Sequence, residues 1–367
     1  MEKVPVARDN TLDAWRGVSI LLVLVHHLVY FHYPVFRNFA ATAQTGLLHI
    51  VWLFDKGLVA FAERSGPLGV KFFFVISGFI ITKLMLDEER KRGSFSLYHF
   101  YVRRAVRILP PLVFYLALVF ALGLFGWTLV TSTEILHSVS FLCNTNIGCG
   151  WDTIHTWTLA TEMQFYLFWP LLFLLTPKRF RLLMLTLTMV LLMVCSALGI
   201  LTTQGWLDNA ISFVCIGLGA LIASSEPVRT FFIKRSFVLM GTLAGVVIAL
   251  VLLHLSDAAR IAYREAIPFV IAGLIFSSYR FPRLAKTRFV SVLASLGLIS
   301  YSLYLWQQVF LAPPEQFPVE SLLLQPLLMF AFAIVSYFVI EQPAVRLGKK
   351  FLKGRTKEAP VENVSGI

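Results

Sequence analysis

Residues 12–30, LDAWRGVSILLVLVHHLVY, decide the fold of this chain. The run has the apolar character and the length of a helix that crosses the hydrocarbon core of a bilayer, which takes about 20 residues. Similar runs recur along nearly the whole sequence of 367 residues, which is 57% hydrophobic and has a mean hydropathy of +0.76. Because no soluble core could bury so much apolar surface, we predict a membrane protein.

The apolar runs predict about ten transmembrane helices that form one polytopic all-α bundle. Their approximate ranges are 14–33, 68–86, 108–126, 156–176, 182–201, 208–224, 236–255, 262–279, 290–311 and 321–340. We expect residues 1–345 to form a single transmembrane domain and residues 346–367 to form a basic and polar cytoplasmic tail. The first run lacks a small-residue cleavage site, so we interpret it as a retained membrane anchor.

The formal net charge of +12 would suggest nucleic acid as a partner if the protein were soluble. Its distribution indicates membrane topology instead. If the N-terminus is cytoplasmic and the predicted spans follow, 26 of the 32 lysines and arginines fall on inward loops and span edges. This bias predicts that both termini lie in the cytoplasm, and we expect no nucleic-acid partner.

The four cysteines fall into two pairs of different character. Cys143 and Cys149 lie in the stretch CNTNIGC on a predicted outer loop, where an oxidising compartment would allow a disulfide. The asparagine and glycine between them fit a plain turn equally well, so the sequence leaves both readings open. Cys195 and Cys215 lie inside predicted spans and read as small buried apolar residues.

Ionisable side chains inside membrane spans are costly, so each one is a candidate functional residue. Arg16 and His27 are eleven residues apart in the first span, which places them within about 20° on one helix face and about 16 Å apart along the axis. His26 points elsewhere. The alternative is that Arg16 reaches to lipid phosphate and His27 only forms a hydrogen bond between helices.

Glu162 is the third candidate, in the stretch WTLATEMQFYLFWP of the fourth predicted span. Counted from the outer end of its span, it lies at a depth comparable with that of His27. A carboxylate at this depth could orient the imidazole while the imidazole accepts a proton from a hydroxyl. A structural ion pair between helices is the alternative.

Three arginines follow one another in the stretch YVRRAVRILPPL at the start of the third span. Arg104 and Arg107 face one way because they are three residues apart, and with Arg103 beside them they could hold a phosphate. Lipid headgroups are the alternative target. The sequence contains no glycine-rich phosphate loop, no CxxC pair and no HExxH, so we predict no metal site.

Six sequence blocks together resemble, in order, the blocks of the acyltransferase-3 membrane family, and they cover nearly the whole chain. The blocks are LDAWRGVSILLVLVHHL, GPLGVKFFFVISGFIIT, FYVRRAVRILPPL, WTLATEMQFYLFWPLL, ISYSLYLWQQ and IEQPAVRLGKK. The resemblance implies a membrane-embedded O-acyltransferase of a cell inner membrane. Such an enzyme moves an acyl group, usually acetyl, from acyl-CoA to a hydroxyl of a cell-envelope polysaccharide, a lipid-linked sugar or a similar acceptor.

Carried over by position, the resemblance assigns residues to roles. His27 becomes the general base, Glu162 its partner and Arg16 a third catalytic residue. Arg104 and Arg107, with Arg103 beside them, become the binding site for acyl-CoA, a donor substrate that is not a tightly bound cofactor. The other matching positions are Ser77, Gly78 and Phe79 in the second block and Tyr301, Tyr304 and Trp306 in the fifth.

Three positions depart from the family pattern, which puts borrowed substrate detail in doubt. Lys71 stands where an acidic residue is frequent, Met163 where a second glutamate is, and Gln307 where a histidine is. A different functional class also fits the buried charges. In a proton-coupled transporter or flippase of a lipid-linked sugar, Arg16, His27 and Glu162 would form a proton path, and no CoA site would be needed.

Overall fold

The computed structural model describes residues 9–41, 48–145, 147–198, 209–252, 257–312 and 323–358. Within these ranges all regular secondary structure is helical, which confirms the predicted all-α fold. In chain order, the α-helices are α1 (Asn10–Ala41), α2 (Leu48–Arg92), α3 (Leu97–Leu124), α4 (Ser132–Val139), α5 (Trp151–Ile154), α6 (Trp157–Leu175), α7 (Lys178–Ala197), α8 (Asn209–Ser224), α9 (Glu226–Leu252), α10 (Asp257–Ser277), α11 (Arg288–Leu298), α12 (Ser300–Phe310), α13 (Leu324–Val335) and α14 (Gln342–Glu358). A π-helical turn, Ser336–Glu341, joins the last two.

Seven of the described helices are long and apolar enough to cross a membrane, and the number rises to nine if each of two bent pairs counts as one span. About ten spans were predicted. The difference arises at 236–255, a range that begins inside α9 and extends past the end of the described part of that helix. The chain is therefore a multi-pass membrane protein, and the cytoplasmic position of its termini stays a prediction.

The predicted span 290–311 is not one straight helix. It consists of α11 and α12, which meet at an angle of 69°. Ser300 at the start of α12 donates from its hydroxyl to the carbonyl oxygen of Gly297, and so occupies an acceptor that a continuous helix would use for a backbone amide. Helices α8 and α9 form the second bent pair, at 104°. A hydropathy pattern records length and polarity, so neither bend was predicted.

Two pairs of glycines set the closest helix contacts in the bundle. A Cβ atom on Gly17 of α1 would lie 2.0 Å from the carbonyl oxygen of Leu293, and one on Gly297 of α11 would lie 1.8 Å from that of Asp13. Helices α2 and α8 repeat the arrangement. Gly78 of α2 faces the carbonyl oxygen of Ile216, and Gly219 of α8 faces that of Val75. Small residues let the backbones of membrane helices approach this closely, which holds α1 and α2 in fixed positions.

Helix α14 continues past the predicted domain boundary at residue 345 and ends at Glu358. It packs on α3, where a Cβ atom on Gly348 would lie 2.7 Å from the Val106 side chain. The predicted tail 346–367 therefore begins inside an ordered helix, and its last residues, 359–367, lie outside the described part of the chain.

Cys143 and Cys149 form a disulfide, so the structure selects the first of the two readings that the sequence left open. The closed loop lies just before α5 and α6. Asn144, inside the loop, donates from its side-chain amide to the Gln164 side chain of α6 at 2.8 Å. The disulfide loop is thereby attached to the helix that carries Glu162. Cys215 is buried in α8, as expected, whereas Cys195 is half-buried.

Candidate active site

Helix α1 carries predicted site residues at two levels, and each level opens into a cavity. Arg16 lines a cavity that we call the arginine cavity, and His27 lines a separate cavity that we call the histidine cavity. The polar residues of the arginine cavity are Arg16, Ser77, Arg104, Arg107, Glu162, Tyr166 and Tyr301. The sequence thus located four site residues that the fold does bring together: Arg16, Arg104, Arg107 and Glu162.

Glu162 is held by hydroxyl groups in the arginine cavity. The phenol of Tyr166, one turn further along α6, donates to Glu162 Oε2 at 2.9 Å. The hydroxyl of Ser77 on α2 lies 2.5 Å from the same phenol and also forms a hydrogen bond with Glu162. The Arg104 guanidinium lies over the Tyr166 ring, 5.4 Å from its centroid, within electrostatic range of the carboxylate. Glu162 is therefore held by two hydroxyls within electrostatic range of Arg104 and Arg16.

Arg16 is anchored at the bend between α11 and α12. Its guanidinium donates to the hydroxyl of Ser300 at 3.2 Å, and Ser300 in turn donates to the Gly297 carbonyl oxygen. Both Glu162 and Glu341 lie within electrostatic range of Arg16. The bend that the sequence did not predict is thus a part of the site, because it presents the hydroxyl that positions this guanidinium.

Glu341 is a second carboxylate at this end of the bundle, and sequence reasoning missed it. It ends the π-helical turn, is only 4% exposed, and accepts a hydrogen bond from Ser302 at 3.0 Å. Arg107 and Arg16 provide the nearby positive charges. A glutamate at the end of an apolar run was the available signal, in a block already used for the family resemblance, and π-helical turns are frequent at functional sites.

Arg103 is separated from the other two arginines. Its guanidinium donates to Glu88 Oε2 at 2.7 Å, and its side chain does not line the arginine cavity. Glu88 also pairs with Arg92. Of the three arginines proposed to hold phosphate, only Arg104 and Arg107 face the cavity, whereas Arg103 stabilises the junction between α2 and α3.

The histidine cavity lies at the other level of α1. Its polar and aromatic lining consists of His26, His27, Lys71, Trp151, His155, Trp157, Ser212, Tyr304, Gln307 and Gln308. Helices α1, α2, α5, α6, α8 and α12 all contribute. No group of three or more histidine, cysteine, aspartate or glutamate residues that could hold a metal ion occurs in the ranges that the structure describes.

The tautomer of His27 follows from its backbone contact. Nδ1 lies 2.9 Å from the carbonyl oxygen of Val23, one turn earlier in α1. Because a carbonyl oxygen only accepts, Nδ1 must carry the proton, and in a neutral imidazole Nε2 is then the unprotonated nitrogen. This arrangement makes Nε2 the proton-accepting atom of His27.

The surroundings of His27 restrain its ring on several sides. The Trp151 ring lies at a centroid distance of 6.2 Å, and the Gln308 side chain forms a hydrogen bond with His27. Trp151 itself donates from its indole to the Gln308 carbonyl oxygen at 3.0 Å. The neighbouring His26 uses Nδ1 to contact the Ala62 carbonyl oxygen on α2 at 2.8 Å. His26 thereby links two helices, and its ring direction differs from that of His27.

The structure does not bring His27 and Glu162 together. Glu162 bonds to Tyr166 and Ser77, and no hydrogen bond or ion pair joins it to His27 among the described residues. A third cavity, the middle cavity, lies between them. It shares Arg16, Phe73, Leu159, Glu162 and Tyr301 with the arginine cavity, and Val70 and Tyr304 with the histidine cavity. The two predicted residues thus lie in neighbouring cavities with shared lining residues and do not contact each other directly.

Comparison with known proteins decides the family. The chain matches the family of acyltransferase domains over residues 9–341, which is most of its length. It belongs to the acyltransferase-3 family. The resemblance inferred from the six sequence blocks is confirmed, and with it membership of a class of membrane-bound acyltransferases. No solved structure matches the chain.

Two proteins similar to this chain come from Staphylococcus aureus. The chain is 27% identical to O-acetyltransferase OatA of strain NCTC 8325 / PS 47 over 387 residues, which covers 92% of this chain and 57% of the relative. It is 25% identical to a putative O-acetyltransferase of strain MRSA252 over 401 residues, which covers 95% of this chain and 59% of the relative. The chain therefore spans less than two thirds of the length of these relatives.

Proposed function

We propose that this acyltransferase-3 protein is an O-acetyltransferase that moves an acetyl group from acetyl-CoA to a hydroxyl of a cell-envelope glycan or lipid-linked sugar. One observation carries the proposal. A cationic cavity and a cavity lined by His27 lie at two levels of the same helix, and a third cavity shares lining residues with both. This arrangement suits a substrate with an anionic head and a reactive end.

The donor would enter at the arginine cavity. Arg104 and Arg107 hold the phosphates of CoA there, because guanidinium groups bind phosphate in a planar, paired geometry. The Glu162 carboxylate offsets part of the positive charge of Arg104 while no phosphate is bound. The arm of CoA then extends through the middle cavity past Val70 and Tyr304 to His27.

His27 would act as the general base. Nε2 takes the proton from the acceptor hydroxyl, and the hydroxyl oxygen attacks the carbonyl carbon of the thioester. The C–S bond breaks, and His27 returns the proton to the departing thiolate of CoA. The Val23 carbonyl oxygen, which accepts from Nδ1, stabilises the imidazolium that forms in between. Glu162 does not take part in this proton transfer, since it serves the donor end.

The sidedness of the two cavities follows from charge and the disulfide. We infer that the arginine cavity faces the cytoplasm, where acyl-CoA is found, because most basic residues lie on that side in the predicted topology. The disulfide loop precedes α5, which lines the histidine cavity, and disulfides form in oxidising compartments. The acceptor then approaches from outside.

The test uses purified protein in liposomes with labelled acetyl-CoA and glycan-bearing lipids extracted from bacterial membranes. Wild-type protein should transfer the label, and His27→Ala should not, although it should still bind labelled CoA. The transporter alternative predicts flipping of a lipid-linked sugar without any CoA dependence. Failure of wild-type protein both to bind CoA and to transfer the label would remove the enzyme proposal.

A further inference from the structure

His155 is a buried histidine that the proposed mechanism has not used. It follows α5 and precedes α6, and its side chain is only 4% exposed. The ring lies between those of Tyr115 and Tyr304, at centroid distances of 5.2 Å and 5.6 Å. It lines the histidine cavity and is near enough to His27 for the two rings to interact electrostatically.

Neither ring nitrogen of His155 has a hydrogen-bond partner in the structure. A neutral imidazole has one donor and one acceptor, and leaving such groups buried and unpaired destabilises the folded state. Most buried polar groups of folded proteins are paired. An imidazole with two unpaired nitrogens at a cavity wall therefore points to a partner that arrives with the substrate.

The backbone around His155 is held firmly, so its ring is prepositioned. The hydroxyls of Tyr304 and Thr158 both donate to the His155 carbonyl oxygen, at 3.0 Å and 3.1 Å. Tyr115 donates to the carbonyl oxygen of Asp152 in the preceding turn at 2.6 Å. Prepositioned donors stabilise developing charge without reorganising during the reaction, which is the property that an oxyanion site needs.

Other hydrogen-bond donors in the same lining are already committed. The Gln307 amide donates to Gln308 Oε1 at 3.1 Å, the Trp151 indole donates to the Gln308 carbonyl oxygen, and the Tyr304 hydroxyl donates to the His155 carbonyl oxygen. Lys71 and the indole of Trp157 belong to side chains that remain partly exposed. His155 thus offers a buried donor that has no partner among the described residues.

We propose that the ring N–H of His155 donates a hydrogen bond to the carbonyl oxygen of the acyl group and stabilises the negative charge on it during transfer. This inference rests on the proposed acyl transfer. As His27 removes the proton from the acceptor hydroxyl, the new C–O bond places the carbonyl electron pair on oxygen, and His155 binds that oxygen. When the C–S bond breaks, the carbonyl re-forms and CoA leaves with the proton from His27. His155 binds charge and exchanges no proton.

The test compares His155→Phe, which keeps a ring but has no donor, with His155→Gln, which keeps an N–H donor. Both are assayed as purified protein in liposomes with labelled acetyl-CoA and glycan-bearing membrane lipids as acceptor. For His155→Phe we expect kcat to fall about 100-fold. In this variant the KM for acetyl-CoA and the binding of labelled CoA should stay within about twofold of wild type. The kcat of His155→Gln should be at least about tenfold higher than that of His155→Phe.

The matched control is His137→Gln, which changes a histidine of α4 that contacts the Gly148 carbonyl oxygen and lines none of the three cavities. It should keep the wild-type rate. An undiminished kcat in His155→Phe would overturn the inference, as would a defect confined to the KM for acceptor. Retained CoA binding shows that a slow variant is folded. If wild-type protein itself neither binds labelled CoA nor transfers the label, the proposed function fails instead.

Discussion

Val70 on α2 and Tyr304 on α12 form part of both the wall of the middle cavity, which contains Glu162, and the wall of the histidine cavity, which contains His27. They come from different helices and are the residues that the two lining sets share. On the proposed donor path, the arm of CoA passes these two side chains on its way to His27.

Enlarging Val70 should block the passage without disturbing the phosphate end. In Val70→Phe we expect acyl transfer to fall at least tenfold while the affinity for CoA headgroup analogues such as 3′,5′-ADP stays unchanged, because the added ring fills the junction and not the arginine cavity. Transfer assays and equilibrium binding of labelled 3′,5′-ADP measure the two effects. The control Val70→Ala widens the junction and should remain active. Equal activity of Val70→Phe and wild type would contradict the proposed donor path.

Replacing His27 should abolish transfer, and replacing the adjacent His26 should not. The general base contributes about 100-fold to 10,000-fold to a proton-transfer step, so His27→Ala should lose activity by a factor in that range. His26→Ala removes the contact to the Ala62 carbonyl oxygen and should cost about 1 kcal/mol of stability with most of the activity retained. Transfer rates and thermal unfolding in detergent separate the two variants. Comparable losses of activity in both would argue against a specific role for His27.

The three arginines of the stretch YVRRAVRILPPL should differ in their effect on CoA binding. Arg104→Ala and Arg107→Ala should each raise the Kd for CoA about tenfold or more, because each removes a charged donor from the arginine cavity. Arg103→Ala is the matched control, since Arg103 is occupied by Glu88, and its Kd should stay within about twofold of wild type. Isothermal titration with CoA in detergent measures all three. An equal loss of CoA affinity in all three variants would indicate that CoA binds to any positive charge on the surface.

The close contacts between α2 and α8 should make Gly78 intolerant of a side chain. A Cβ atom there would lie 1.9 Å from the Ile216 carbonyl oxygen, so Gly78→Ala should destabilise the bundle by about 1–3 kcal/mol. At Gly241 of α9 nothing lies within 4 Å, and Gly241→Ala should be neutral or slightly stabilising because alanine favours the helix. The midpoint of thermal unfolding in detergent compares them. A tolerated Gly78→Ala would mean that α2 and α8 can move apart freely.

The Cys143–Cys149 disulfide should make a modest contribution to stability. Closing a loop of this length removes unfolded-state entropy worth about 2 kcal/mol, so Cys143→Ser with Cys149→Ser should lower the unfolding midpoint. In intact wild-type cells, a membrane-impermeant thiol reagent should label Cys143 and Cys149 only after reduction with an impermeant reductant. Labelling without prior reduction would show free thiols there and contradict the disulfide, whereas no labelling even after reduction would contradict its outer location.

Helical periodicity and residue type predicted the groups on α1 and α3 well. Arg16 and His27 do face connected cavities, as their eleven-residue spacing on one helix face required. Arg104 and Arg107 face the arginine cavity together for the same reason. Spacing within one helix is fixed by the backbone, so such inferences need no knowledge of how the helices pack.

Contacts between side chains of different helices could not be predicted from spacing within one helix. Glu162 and His27 were matched by their depth in the membrane, but depth does not specify the direction in which a side chain points around its helix axis. Glu162 instead bonds to Tyr166 on its own helix and to Ser77 on α2. Glu341 and His155 gained their significance only when packing placed them beside Arg16 and His27. Burial of polar groups, which identifies both, has no sequence signature.

The glycine contact that seats α1 against α11 has a consequence for which donors the protein can use. The backbone of α1 packs against Leu293 at Gly17, which holds the helix in place between the two cavities. The helical rise keeps Arg16 and His27 about 16 Å apart along its axis. The spacing on α1 therefore selects donors by the length of the CoA arm and not by the acyl group attached to it. Small activated acyl compounds such as acetyl phosphate, which lack a long arm, would reach His27 without ever being held by the arginines.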